Sequence, residues 1–331
     1  MNIDLQAREI QPLRHTFDRV ARYTGGDKPA SRYLEATLGA QPCEHFHYQP
    51  TWEAGYALFD PRRSAIVMED WDTLRDPRQY YYATWTMARA RQQDAMEASY
   101  QFVESRQLVQ KMPDALRAQA CAVLMPLRHV AFGGNMNNSQ ICARGYGAVF
   151  TAPAMLHAMD QLGVAQYLTR LGLALEGSSA LAAGKQDWLH NSSWQTLRRY
   201  VEDTLVVQDP MELFVAQNLA LDGLLYPLFF THYVDDQLAL QGGTAVAMLS
   251  SFIPEWHTES ARWVDAVTTI AAAESAHNRE LLSQWYGRYT EQACAALAPV
   301  AGLALTANAE QALADVRTAL NARARKAGLD V

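Results

Sequence analysis

The stretch PEWHTESARWVDAVTTIAAAESAHNRELLSQW, residues 254–285, decides the fold. Within it Trp263, Val267, Ile270, Glu274, His277, Leu281 and Trp285 recur at steps of three or four, the spacing of one face of an α-helix. The pattern predicts one long helix after Pro254 whose apolar face carries a Glu and a His three residues apart. Side chains at i and i+3 share a side, so Glu274 and His277 are both expected to point inward. An unpaired charge is costly there, and the pair needs a metal, an arginine or a backbone carbonyl as partner.

The same periodicity recurs upstream. Asp76-Pro77 reads as a helix start, with Asp as N-cap and Pro at the first helical position. Tyr81, Trp85, Ala88, Ala95, Ser99 and Phe102 then form a stripe that continues to about Met112. A second helix follows Pro113, carrying Leu116, Ala120, Val123, Leu127 and Val130, with a kink expected at Pro126. Gly133-Gly134 and the Gly145/Gly147 pair weaken or end it, or let a neighbouring backbone approach. Pro153 opens a third helical region to about Glu176, and EGSSALAAGKQDWLHNSSW, residues 176–194, reads as a connection. Asp209-Pro210 repeats the start signal with Glu212 in the capping-box position, and helix follows to about Leu240 with kinks at Gly223 and Pro227. A last amphipathic helix uses Leu313, Val316 and Leu320. With no alternating strand pattern and no fixed-period repeat, the chain is predicted to be all-α.

Ahead of the helices, residues 1–70 are cut by Gly25-Gly26, Pro29, Pro42, Pro50 and Pro61 into an irregular N-terminal arm. Its Tyr23, Tyr33, Phe46, Tyr48, Trp52, Tyr56 and Phe59 are too many for a solvated tail, so the arm should lie across another surface, its own or a partner's. The organisation expected is an arm over 1–70, a helical domain over 71–290 and a C-terminal helical segment over 291–331.

A net charge of −7 and the lack of a concentrated basic face argue against nucleic acid. Arg323, Arg325 and Lys326, just before Gly328, fit the C-terminus of a helix. Cys43, Cys121, Cys142 and Cys294 show no paired spacing, which suits a reducing cytoplasm. The opening MNIDLQAREIQPLRH lacks the apolar core of a signal peptide. The apolar run Leu213 to Val234 contains Gln217, Asn218, Asp222 and His232 and reads as a buried helix, not a membrane span. No dinucleotide fingerprint, phosphate loop or nucleophile elbow is present.

Bundles that hold two irons take a Glu from each of two helices and a Glu-x-x-His pair from each of the other two. This chain has two such pairs, Glu44/His47 and Glu274/His277, and the first lies between Pro42 and Pro50, where continuous helix is disfavoured. The compact group Cys43, Glu44, His45 and His47 resembles a metal cluster, but in the same proline-flanked loop. His129 in PLRHV has Pro126, not Glu, three positions earlier, and reads as a hydrogen-bonded core or interface histidine. Glu97, Glu104 and Asp222 could supply carboxylates from other helices. One usable pair is half a site. The chain is therefore expected to partner an enzyme, with no catalytic, cofactor-binding or metal-binding residue of its own.

The string WDTLRDPRQYYYATWTMARARQQ, residues 71–93, resembles the β subunit of bacterial multicomponent di-iron monooxygenase hydroxylases, the phenol hydroxylase branch in particular. SSFIPEWHTESARWVDAVTTIAAAESAHNRELLSQWYGRY, residues 250–289, is similar to the same subunits, with toluene monooxygenase β subunits next nearest. The resemblance implies a ferritin-like helical bundle in an assembly of two α, two β and two γ subunits. It places the di-iron centre in α, and it implies an NADH-dependent reductase and a small regulatory protein as further partners. The complex would convert phenol, and methylphenols, to catechols with O2, while this chain supports α and the docking of the small components. Large aromatics near a helix start can anchor such contacts, which nominates Trp52, Tyr80, Tyr81, Tyr82 and Trp85 as interface residues. The competing readings are a self-sufficient di-iron or mononuclear iron oxidase built on Glu97, His129, Asp222, Glu274 and His277, and a helical adaptor unrelated to oxygenases.

Overall fold

The computed structural model describes residues 16, 18–25, 29–42 and 49–331. Among them the regular structure is helical throughout. The arm holds two short helices, α1 (Asp18–Thr24) and α2 (Arg32–Thr37). A largely irregular stretch then leads to α3 (Tyr82–Ser105). Two long helices follow, α4 (Asp114–Arg144) and α5 (Ala148–Glu176), folded back on each other around Gly147. Gly147 has φ +86° at the head of α5, a backbone region that side chains rarely enter, so the helix opens five residues before Pro153. Gly133 and Gly134 do not end α4. A Cβ on Gly134 would stand 3.0 Å from the Gln161 side chain of α5, so the glycine serves the close approach of the two helices.

Residues read as a connection form two helices instead, α6 (Ser178–His190) and α7 (Ser192–Thr204). Their Ala, Leu, Lys and Gln residues are good helix formers, and Asn191 accepts the Ser193 N–H at 3.1 Å to cap α7. Trp188 and Trp194 then bury against the core, which outweighs the local Gly and Ser signals. Asp76 does not cap α3 either. It is buried in a turn, closing on Arg78 with Nε–Oδ1 at 2.9 Å, and α3 starts only at Tyr82.

The centre is a 32-residue rod, Pro210–Gln241. It comprises α8 (Pro210–Phe214), a π-helical segment Val215–Leu221, α9 (Asp222–Tyr226), a second π-helical segment Pro227–Leu238 and a closing turn. Every residue from Leu213 to Tyr226 is buried, Gln217, Asn218 and Asp222 included, so the rod is enclosed on all sides. It is long and apolar enough to cross a membrane, but 94% of its most apolar window is buried inside this protein. Pro227, with no N–H to donate, stands where α bonding gives way to π bonding.

After α10 (Thr244–Ser250) come α11 (Phe252–Glu274), α12 (Ala276–Leu305) and α13 (Ala309–Lys326). The single helix expected over 254–285 is thus two. Ser275 is extended at φ −157°, ψ 161°, and its side chain caps α12 by accepting the Asn278 N–H. That break cancels the i, i+3 relation between Glu274 and His277, and both are exposed. α12 runs unbroken through position 290, where a segment boundary was expected. α13 closes on the rod, where the Leu320 side chain fills the space that a Cβ on Gly223 would need. Val20, Leu38, Ile66 and Met68 of the arm share the core cluster with the helices.

Candidate functional site

The middle of the bundle is polar. Asp222, on the rod, accepts from Gln161 Nε2 of α5 at 2.9 Å and from Gln217 Nε2 at 2.8 Å. His157, one turn before Gln161, places Nε2 3.5 Å from the same carboxylate. Gln217 in turn accepts from Asn137 Nδ2 at 2.8 Å, Asn138 and Asn218 exchange amide bonds at 2.9 Å, and Tyr226 donates to Gln161 Oε1 at 2.6 Å. Burial pushes the Asp222 carboxyl above the usual range, opposed by His157 and the two glutamine amides. The Tyr226 hydroxyl is held well above its ordinary value by burial and by Asp222.

A second cluster adjoins it through α5. Arg89 of α3 grips Asp160 with Nε at 2.7 Å and Nη2 at 2.6 Å, and its Nη1 reaches Glu259 of α11 at 2.8 Å. Trp85 Nε1 donates to Asp160 at 3.0 Å, and the Tyr80 hydroxyl donates to Glu259. The guanidinium also lies 4.6 Å from the centre of the Trp256 ring. Burial outweighs the nearby Arg78 and raises the Glu259 carboxyl above its ordinary value.

These residues do not fit a pair of irons. Both oxygens of Asp222 take amide hydrogens from this chain, and both oxygens of Asp160 face a guanidinium that cannot be deprotonated. His157 Nδ1 is buried without a partner, but a lone ring nitrogen is far from the carboxylate-rich set that two metals require. Among the described residues, no group of three or more His, Cys, Asp or Glu is arranged to hold a metal ion.

The structure disperses the candidates nominated from sequence. Glu97 pairs on the surface with Arg170, and Glu104 is exposed. His129 stacks on Trp188 at 5.6 Å, and burial, with Arg128 and Lys185 nearby, lowers its pKa to about 4. Glu274 accepts the Glu69 N–H at 2.7 Å, and His277 lies 3.4 Å from the Ala65 carbonyl oxygen. With the fully buried Asn278, which accepts the Val67 N–H at 3.1 Å and donates to the Val67 carbonyl at 2.8 Å, they pin the arm to the bundle. The backbone-carbonyl alternative left open for this pair is the one His277 approaches. Cys43, Glu44, His45 and His47 lie outside the described residues, as do Phe46 and Tyr48. Of the nominated interface aromatics, Tyr80 is buried and Trp85 and Tyr81 are half-buried, whereas Trp52 and Tyr82 are 78% and 76% exposed.

Residues 52–275 match the model of a family described as Methane/Phenol/Alkene Hydroxylase. The chain belongs to this family. As a hydroxylase-family member it is 44% identical, over 99% of its length and 98% of the relative's, to the oxygenase component DmpL of phenol 2-monooxygenase from Pseudomonas sp. (strain CF600). It is 38% identical over the same shares to the oxygenase component MhpL from Acinetobacter pittii (strain PHEA-2). The hydroxylase component subunit beta of the toluene-4-monooxygenase system of Ectopseudomonas mendocina is 20% identical over 68% of this chain and 70% of that one. Among solved structures, a chain of xenon-pressurised phenol hydroxylase from Pseudomonas sp. OX1 superposes with a TM-score of 0.91 at 39% identity, covering 99% of both chains. A chain of toluene-bound toluene 4-monooxygenase, at 17% identity, shares the fold with a TM-score of 0.74 over 94% of this chain and 99% of that one. The all-α, ferritin-like bundle with an irregular arm, expected from the sequence, is the fold of this hydroxylase-family chain.

Proposed function

We propose that the chain is the non-catalytic β subunit of a cytoplasmic di-iron phenol hydroxylase. The complex converts phenol to catechol with O2 and NADH. The observation that carries this reading is the state of the bundle centre. Where a metal-bearing bundle needs free carboxylates, this one has Asp222 saturated by glutamine amides and Asp160 neutralised by Arg89. Full-length similarity to oxygenase components of phenol 2-monooxygenases supports the choice of complex. On this reading the chain holds no cofactor, and iron resides in a larger α subunit. A γ subunit, a small regulatory protein and an NADH-dependent reductase complete the system. The residues of this chain move no proton or electron to substrate; they bury the helices of α and fix its position.

Metal analysis of the chain purified alone and after coexpression with the larger subunit tests the proposal. Iron and phenol-dependent oxygen consumption are expected only in the coexpressed complex. Stoichiometric iron in the isolated chain, with turnover, would return the assignment to a self-sufficient oxidase.

A further inference from the structure

A cleft of about 480 Å³ opens between α7 and α12, a volume within the range of small-molecule sites. Each wall is one helix face. Arg199, Tyr200 and Asp203 recur at steps of three or four along α7, and Arg288, Gln292 and Ala295 do so along α12.

Most polar groups in these walls are already engaged. Tyr200 donates its hydroxyl to the Ala216 carbonyl at 2.8 Å and Tyr289 donates to Glu212 at 2.7 Å, which leaves their rings to the cleft. Thr204 accepts from Asn137 Nδ2 at 2.9 Å, and Thr196 donates to the Ala296 carbonyl at 3.1 Å. Arg288 is held by Glu212 and lies 4.6 Å from the centre of the Tyr289 ring. What remains is a fixed apolar surface of Tyr200, Tyr289, Val207, Ala295 and Ala296.

Two charges in the lining are not engaged. Arg199 and Asp203 are exposed, and their side chains form no hydrogen bond or ion pair among the described residues, although i, i+4 spacing would allow one. Their neighbours at the same spacing, Arg198 and Glu202, do pair, at 2.7 Å. One helical turn separates the free guanidinium from the free carboxylate, about 6 Å along the axis. An acid at one end, a hydrogen-bond donor at the other and a flat apolar body between would satisfy both charges and cover the rings. The sign is also right for an anion: in a chain of net charge −7 the lining sets Arg199 and Arg288 against Asp203 alone.

We propose that the α7–α12 cleft binds a small hydroxylated aromatic carboxylate, with its carboxylate on Arg199, its hydroxyl donating to Asp203 and its ring against Tyr200, Tyr289 and Ala295. The site lies outside the polar centre and goes beyond the β-subunit reading, since it does not depend on which complex the chain joins.

Isothermal titration of the full chain with 4-hydroxybenzoate, benzoate and phenol is the test, benzoate lacking the hydroxyl and phenol the carboxylate. 4-Hydroxybenzoate is expected to bind saturably, and more tightly than either of the others by about fivefold or more. Arg199→Ala should weaken it by about tenfold or more. Asp203→Ala should remove its advantage over benzoate while leaving benzoate bound at least as tightly as before. Ala295→Trp should block all binding, and Arg91→Ala, at an exposed arginine of α3, should bind as wild type. Methyl NMR of the wild-type chain reads the location without any variant: on titration, shifts should centre on Val207, Ala295 and Ala296. Absence of saturable binding, equal affinity for 4-hydroxybenzoate and phenol, or shifts centred elsewhere overturns the proposal. So does wild-type affinity in Arg199→Ala, or an equal loss in Arg91→Ala.

Discussion

Asp222 is buried and His129 half-buried, and their pH responses run in opposite directions. For Asp222 burial raises the folded pKa, so the protonated form is favoured in the folded state. The stability associated with it is present at low pH and is lost as pH rises from the ordinary carboxylate range through the raised value. For His129 the folded pKa is lowered from 6.5 to about 4, so its contribution is present above 6.5 and lost as pH falls towards 4. Replacing His129 with Phe keeps a ring on Trp188 and should reduce acid destabilisation between pH 6.5 and 4 by roughly 1 kcal/mol, read from denaturant midpoints across that range. Asp222→Asn should cost about 1–3 kcal/mol at pH 7, because Gln161 and Gln217 both aim amide hydrogens at the site and an asparagine offers one oxygen. A melt that is unchanged or raised would show that relief of the buried charge outweighs the lost acceptor.

At the scale of elements, the arm and α3 are tied to the bundle by polar side chains as well as by packing. Asp209 caps the rod through the Met211 and Glu212 N–H groups and also accepts from Ser64 Oγ at 2.9 Å and Ala65 N at 2.6 Å. Asn278 holds Val67 from the start of α12. Asn278→Ala should therefore destabilise by about 1–3 kcal/mol, since it removes the partner of the part-buried Val67 N–H and carbonyl and of the buried Ala271 carbonyl, and hydrogen exchange should rise first at residues 64–69. α3 buries only Met96, Tyr100 and Val103 along its 24 residues, so Arg89 is central to its attachment. Arg89→Lys cannot reproduce the two-pronged grip on Asp160 while also reaching Glu259. It should lower stability by about 1–3 kcal/mol and expose α3 to early proteolysis, whereas protection equal to wild type would show that α3 is held by its apolar side chains.

Element scale is also where sequence reading has its limits. The apolar repeats of α4, α5 and the rod were legible because their faces are buried along the whole helix. The break at Ser275 was not, because the three-and-four spacing continues across it and only the capping bond to Asn278 reveals the change of direction. The same cause misplaced Glu274 and His277. His157, Asp160 and Gln161 carry no fixed Glu and His spacing that would mark them, because the centre is built from amides and an arginine contributed by separate helices. A usable signal was present in Gln217, Asn218 and Asp222, three polar residues within an otherwise apolar run.

At the scale of the whole molecule, the rod is wrapped by α4, α10, α11, α12 and α13, and α5 meets it at the polar centre through Gln161. A partner that binds only the folded chain raises its apparent stability by mass action. The chain alone is therefore expected to melt several degrees below the assembled complex. A free chain that already melts with the complex would argue against a permanent partner.

Arg89 has one more consequence. On the proposed iron-free reading, a bundle that neutralises its own interior with a guanidinium and amides would need no delivery of iron before it matures. Synthesis of this polypeptide would then be insulated from nutrient supply: in a starved cell it could accumulate as finished stock, ready for whichever copies of its companion have been loaded.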